Sequence, residues 1–466
     1  MGELIQMSSN SSKDPSVTYD VIVCGGGPAG VSCAYTLSKL GKSVILLDKK
    51  KRDLIGNKTC GDALDKASPL ILHDEFGLEL PNGDEVSDKV SKMTIITKNK
   101  NISLEAPGYT VDRLKYGQRL LKECENIGVT IIDQASVRDV IIENNHVVGV
   151  KYFKDRKEQQ VRAKLTADCT GLFGAVRSKL PQNFSYGMHQ TIPDYHIAAS
   201  VREIVTLTKD HVYPEEIVLE YDPNIPPPGY LWFFTKGEKR LNIGTGWLKS
   251  EHKEFGRSMK VIYKEALNNY YKEGEDYVVD DYGGGQIPIR PPYDCMTFNG
   301  GLIIGDAACQ VDPTTAEGHG PALVNGYYAG KVMNQAIANK DLSREGLWKY
   351  NIDVMAHYGR RNAISYVTLQ FLREIQANGM DFILRRRILT EEELIAVFDG
   401  EDIKLNGLAI IKKVIRAFPN FSILKRMKQL VHEVQVMGDI YNNYPDDPSK
   451  LSDWIEERDN LLGEKL

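Results

Sequence analysis

Near the start of the chain apolar residues come in short unbroken blocks, and between two of these blocks their spacing changes. Val21 to Cys24 is one such block, of the length and continuity of a strand buried on both faces. Ala34, Leu37 and Leu40 follow at helical spacing, and Gly41 stops the helix. Val44 to Leu47 then reads as a second buried strand. Further on, "KMTIITKNKNISLEA" alternates like a hairpin and "DRLKYGQRLLKECENIG" like an amphipathic helix. "VTIIDQASVRDVIIENNHVVGVKYF" reads as strands around an "ENNH" turn. The middle is strand-rich, in "HIAASVREI", "EEIVLEYD" and "GYLWFFTKGEKRLNIGTGW". "GGLIIGDAA" is another buried strand, followed by a helix from about Gly320 to Val332, and from about Leu342 the pattern is nearly all helical. No internal repeat breaks this α/β order.

Composition narrows the picture. A chain of 466 residues with 42% hydrophobic content has the material for two or three subdomains. A formal net charge of −5 gives no global pull toward nucleic acid. The seven cysteines are scattered, odd in number and without a CxxC pair, which excludes a secreted disulfide framework and an iron–sulfur or structural zinc site. No metal is expected. No apolar run spans a bilayer, and the Ser-rich start, residues 1–18, has neither a signal peptide nor a myristoylation pattern and reads as a disordered tail. Cytoplasmic residence is the default expectation.

Gly25, Gly27 and Gly30 form GxGxxG between the first strand and the first helix. Such glycines allow a tight turn, close approach of backbone to a pyrophosphate and close packing of helix on strand, with the helix N-terminus (Pro28, Ala29) toward the phosphates. Asp48 ends the second strand, followed by Lys49, where a carboxylate can accept from ribose hydroxyls. Two later segments make FAD the dinucleotide. "ADCTGLFGAVRSKL" carries Gly171 and Arg177. "GLIIGDAACQVDPTTAEGHGPALVNGYYAG" carries Gly305, Asp306, Pro313, Gly318, His319 and Gly320. By itself Asp306 is equally a turn residue. Both segments resemble the second and third fingerprints of the FAD-dependent hydroxylase-like superfamily. The resemblance implies that Asp306 reaches the ribityl chain and that the next helix points its N-terminus at the flavin. His319, between two glycines at that helix start, reads as a loop residue beside the cofactor, not a catalytic one.

"YLWFFTKGEKRLNIGTG" resembles the YxWxF…GxG signature of geranylgeranyl reductases, with Tyr230, Trp232, Phe234, Gly244 and Gly246 matching. "KTCGDA" is similar to the Lys-x-Cys-Gly loop of that family and "VDRLKYGQRLL" to its Asp/Arg-led helix. The likeness covers almost the whole chain and is nearest to archaeal enzymes that saturate the isoprenoid chains of membrane lipids. It implies flavin-dependent reduction of prenyl double bonds, with Cys60 and Gly61 at the chemistry. Cofactor contacts extend to Asp62, Arg113 and Ser136, and the aromatic signature holds substrate. An isoprenoid lipid or prenyl diphosphate is the implied substrate. The electron donor is open among ferredoxin, a nicotinamide and a deazaflavin. On periodicity alone Tyr230, Trp232 and Phe234 share one strand face, which is either core or the wall of an apolar site. Cys60 is a thiol beside the flavin that gates or protonates, or else a small buried hydrophobe.

Two positions depart from the family pattern. Thr235 stands where proline is usual, and Ala316-Glu317 replaces Gly-Gly before the helix. A carboxylate there opposes an anionic reduced flavin or serves proton transfer, but Glu317 is read as pointing into solvent. Lys404, Lys412, Lys413, Arg416, Lys425, Arg426 and Lys428, interleaved with apolar residues, form a basic amphipathic stretch. It is either a peripheral contact with an anionic membrane or a solvated helix face.

The expected architecture is a Rossmann-type FAD-binding domain (19–90, 110–182, 296–340), a mixed-sheet catalytic domain (91–109, 183–295) and a helical C-terminal region (341–466). Two other readings are an FAD monooxygenase acting on an apolar substrate and a non-enzymatic isoprenoid-binding protein of the same fold.

Overall fold

The computed structural model describes residues 18–184, 187–188, 191–251, 256–398, 413, 415–417 and 420–462. Two eight-stranded sheets organise it. In the first, Thr18–Cys24 lies between Lys157–Asp168 and Val44–Leu47, all parallel. Gly301–Ile303 extends it on one side and Thr130–Ile132 on the other. The antiparallel pair Ser136–Glu143 and His146–Lys154 attaches to Lys157–Asp168. Val21, Ile22, Val23 and Cys24 are fully buried, as a continuous apolar run in a parallel strand requires.

Helices Pro28–Lys39 and His319–Asn339 pack against each other through glycines. A Cβ on Gly326 would stand 2.4 Å from the Ala29 carbonyl oxygen, and one on Gly330 2.7 Å from Thr36 Cβ. Ser32 Oγ donates to the Leu323 carbonyl across the contact. This close approach brings the starts of both helices to one end of the sheet.

The second sheet runs in the order Tyr277–Pro288, Ile197–Leu207, Arg240–Leu248, Tyr230–Thr235, Glu216–Glu220, Val86–Thr97, Lys100–Val111, Ala63–Asp65. All its pairs are antiparallel except Glu216–Glu220 with Val86–Thr97. Ala63–Asp65 and the start of the long hairpin at Val86 belong here, within the stretch that the sequence reading gave to the nucleotide domain. Leu231 and Phe233 point into a core with Ile243 and Tyr263, which leaves Tyr230, Trp232 and Phe234 on the opposite face.

Among the described residues beyond Leu342 the α-helices are Lys349–Val354, Arg360–Arg385, Glu391–Phe398, Phe421–Asn442 and Leu451–Leu462, with a π-turn at Met355–Gly359. The basic stretch needs correction there. Lys404 and Lys412 lie outside the described residues. Lys413 is turned inward, where its ammonium donates to Glu393 Oε2 at 2.7 Å and to the Ile388 carbonyl. Arg416 reaches the Arg387 carbonyl and Arg426 pairs with Glu374 and Glu433. Lys425 and Lys428 are exposed, near exposed Ile415 and Phe421. The inward turn follows from energetics, since an ammonium with two acceptors loses little on burial.

Candidate functional site

The starts of the two packed helices and the Tyr230/Trp232/Phe234 face of the second sheet border one cavity of about 1410 Å³. That exceeds the roughly 300–1,000 Å³ of ordinary ligand pockets, enough for a dinucleotide with a long apolar chain beside it.

At the nucleotide end the three glycines do three different things. Gly25 has φ 107°, and a Cβ on it would stand 2.3 Å from the Cys169 carbonyl oxygen. A Cβ on Gly30 would fall 1.8 Å from the Gly25 carbonyl oxygen, so helix and strand approach only without one. A Cβ on Gly27 would meet nothing within 4 Å, because that position opens on the cavity. Asp48 braces the turn: Oδ2 accepts from the Gly26 N–H at 2.7 Å and Oδ1 from the Lys50 N–H at 2.8 Å. Lys49, Lys50, Lys58 and Arg113 all line this end. Burial pulls the Lys50 ammonium below its usual value and neighbouring Lys49, Arg113 and Lys58 pull it further, while Asp48 opposes. Gly171 and Ser136 line the same end. Asp168, which the sequence reading passed over, shapes the Gly171 loop by accepting from the Thr170, Val176 and Arg177 N–H groups. Arg177 itself is buried away from the cavity, donating to Tyr293 and Leu172.

Gly305, Asp306, Pro313 and Gly318 line the cavity from the segment that leads into the other helix, and His319 from its first turn. Asp306 Oδ2 pairs with Lys58 Nζ at 2.7 Å, which ties the "NKTCGD" loop to the third glycine segment. His319 is the first helical residue, buried, and not a loop residue as the sequence suggested. Burial, then Arg113 and Lys58, hold its imidazole well below the usual value, so it is neutral at pH 7. Gly320 does not line the cavity. It leaves room for Asp65 and Ser68, whose oxygens a Cβ would meet at 2.2 and 2.4 Å.

Glu317 does not point into solvent. It lines the cavity wall, with Arg361 Nη2 at 3.7 Å. Burial first, then the Asp65 carboxylate, push its carboxyl up to about 8 against the opposing Arg361. Tyr230 of the second sheet holds the segment just before it, its hydroxyl donating to the Thr315 carbonyl at 2.9 Å.

Cys60 sits on the same wall. Its Sγ accepts from Arg113 Nη1 at 3.0 Å and from the Asp62 N–H at 3.2 Å, and its S–H faces Asp62 Oδ1 at 3.3 Å. Burial raises the thiol pKa above its ordinary value; Arg113 opposes this and Asp62 adds to it. The other six cysteines are buried. Gly61 packs on Phe234, and Gly283 on the edge strand Tyr277–Pro288 makes space for Thr59, whose Oγ1 a Cβ would meet at 2.6 Å.

Trp232, Tyr230 and Phe234 line the cavity together with Ile217, Leu219 and Leu248. The glycines of the signature lie across from these aromatics: Gly244 opposite Trp232 and Gly246 opposite Tyr230. A Cβ on Gly244 would stand 2.3 Å from Trp232 Cζ2, so Gly244 is a seat for the indole and does not itself line the cavity, whereas Gly246 does. Thr235, in the place of the family's proline, is buried and donates to Asp88.

Residues 20–211 match the family model described as glucose inhibited division protein A, and residues 196–286 match the geranylgeranyl reductase catalytic domain. A digeranylgeranylglycerophospholipid reductase from Sulfolobus acidocaldarius is 30% identical over 96% of this chain and 98% of its own. The chain belongs to the digeranylgeranylglycerophospholipid reductase family. A second member, from Methanopyrus kandleri, is 27% identical over 89% of this chain and 99% of its own. A solved structure of a geranylgeranyl bacteriochlorophyll reductase-like protein from Thermoplasma acidophilum superposes with a TM-score of 0.73 at 22% identity, covering 89% of this chain and 99% of that one.

Like its family, the chain is an FAD-dependent oxidoreductase. The residues fit the cofactor. Gly27 is open where a pyrophosphate approaches, and four cationic side chains stand around that end of the cavity. Asn242 and Lys236 are the functional candidates that sequence reasoning missed, although both lie inside the quoted signature at positions between its named residues.

Proposed function

We propose that the protein reduces the double bonds of geranylgeranyl chains on ether-lipid precursors or on geranylgeranyl diphosphate, with Cys60 supplying the proton. The supporting observation is that the Cys60 thiol, the glycine turn and the Tyr230–Trp232–Phe234 face border a single apolar-walled cavity. Once reduced with two electrons from an external donor, bound FAD would supply the hydride. The chain's own residues hold the prenyl chain against the aromatic face, exclude water from it and keep a proton at Cys60 Sγ. Burial keeps that thiol protonated at neutral pH, so it stands beside an apolar chain without charge. Asp48 braces the turn at the adenosine side, and Asp306 serves the ribityl side.

Glu317 offers a second source of the proton. It lines the same cavity and holds its proton to about pH 8. The exposed pair Lys425 and Lys428, with Phe421 close by in sequence, supports peripheral contact with an anionic membrane surface. Among the described residues no helix is long and apolar enough to cross a membrane.

Dithionite-reduced enzyme with a geranylgeranyl lipid, read by product mass spectrometry, tests the reading. Saturation in steps of two hydrogens supports it. A hydroxylated product formed with oxygen consumption would replace it with the monooxygenase reading. Cys60→Ser keeps fold and flavin, and its turnover drops by about 10²–10⁴, the loss typical of a missing general acid. Turnover at the parental rate would move the proton to Glu317 or water.

A further inference from the structure

The Cys60 loop carries no regular structure between Leu54 and Ala63, yet its backbone is held from the second sheet by two side chains of the aromatic signature. Asn242 is fully buried opposite Phe234. Its Oδ1 accepts from Trp232 Nε1 at 3.0 Å, which fixes the amide orientation. Its Nδ2 then faces two acceptors on the loop, the Cys60 carbonyl at 2.8 Å and Asp62 Oδ2 at 2.9 Å. Lys236 Nζ donates to the same Asp62 oxygen at 2.9 Å and to the Val111 carbonyl at 3.1 Å. Both charged groups are about nineteen-twentieths buried, so each depends on the other. Asp62 itself is held at φ 69°, a left-handed conformation unfavourable for a side chain.

The two carboxylate oxygens of Asp62 therefore divide the work. Oδ2 is taken by the sheet through Asn242 and Lys236. Oδ1 is left to accept the Cys60 S–H, while the Asp62 N–H donates to the same sulfur. We infer that Asn242 and Lys236 are positioning residues, which set the direction of the Cys60 thiol through Asp62 and couple it to the Trp232 wall. This rests on the proposed role of Cys60. Its physical content is that the strands whose aromatics wall the cavity also hold the loop and the carboxylate that orient the thiol. Misplacing a reacting group by about 1 Å costs on the order of 10²-fold in rate.

The test uses flavin-loaded protein and iodoacetamide, with alkylated residues mapped by mass spectrometry. The other six cysteines are buried, so early alkylation reports on Cys60. Asn242→Ala combined with Trp232→Phe removes both partners of the central hydrogen bond, which guards against an orphaned indole N–H. Against Trp232→Phe alone, which carries the change in the substrate wall, this variant is expected to alkylate faster at Cys60, with kcat reduced 10- to 10²-fold and KM close to that of the single variant. Asp62→Asn removes the anionic neighbour of the sulfur, so the pH profile of alkylation moves to lower pH. Lys236→Met is expected to lower kcat to a similar degree, and Lys236→Arg to recover part of it. Alkylation rates and pH profiles equal to the parent in all these variants would overturn the inference. If instead Cys60→Ser turns over normally while these variants still change Cys60 alkylation, the positioning stands and the proton role of Cys60 falls.

Discussion

Gly61 lies directly against the ring of Phe234: a Cβ on it would stand 2.5 Å from Phe234 Cε2 and 2.8 Å from Cδ2. The glycine of the Cys-Gly loop and the last aromatic of the strand signature are thus two halves of one contact. Gly61→Ala is expected to displace either the ring or the Cys60 loop. Overpacking of this kind costs about 1–3 kcal/mol. A lower melting temperature and reduced turnover follow, and Gly61→Ala with Phe234→Leu recovers the melting temperature. Unchanged turnover in the single variant would separate the loop from the chemistry.

Asp306 gives a cofactor prediction. Its carboxylate pairs with Lys58, which is nearly half open to solvent. Such pairs contribute about 0–1 kcal/mol to folding. Asp306→Ala therefore folds like the parent but purifies with much less flavin, measured by absorbance after desalting. Full flavin occupancy would show that Asp306 does not serve the cofactor.

The Glu317 carboxyl makes stability depend on pH in a definite direction. Its value in the folded protein, about 8, lies above the ordinary 4.5. Between those values the folded state keeps a proton that the unfolded state has released, so its contribution is complete below about 4.5 and is lost as pH rises toward 8. Burial sets it first, Asp65 and Asp312 add to it, and Arg361 opposes it. Glu317→Gln removes the effect: its melting temperature falls less than the parent's from pH 5 to 8, and the two curves run parallel above that. About a quarter of the side chain reaches solvent, so the difference is smaller than full burial gives. Parallel curves across the whole range would show an ordinary, ionised carboxylate.

Membrane contact is tested at Lys425 and Lys428, since Lys413 is already paired inside the protein. Reversing both exposed charges weakens binding to anionic vesicles by about 1 kcal/mol per residue. Lys413→Glu acts differently, placing a second carboxylate against half-buried Glu393, and lowers the melting temperature. Equal vesicle binding by the Lys425/Lys428 variant would leave this face as plain surface.

The sequence by itself determined the nucleotide half of the molecule. Continuous apolar runs at Val21 to Cys24 and Val44 to Leu47 admit one kind of burial, and the glycines between them are demanded by local backbone geometry: Gly25 for its φ, Gly30 for a contact five residues away. The aromatic signature was legible as a strand face, because alternation is local too. Which face met the cavity was not, and neither was the placement of Glu317, His319 or Lys413. Their surroundings come from residues far away in the chain: Asp65 and Arg361 around Glu317, Arg113 and Lys58 around His319, Glu393 and Ile388 around Lys413. The Cys60 loop shows the same division. Its Cys-Gly pair is visible in the sequence, but its hold on Asn242, 182 positions along the chain, exists only once the second sheet has formed. A hydrogen bond across that separation has no periodicity to betray it, and only tertiary packing brings its two ends within 2.8 Å.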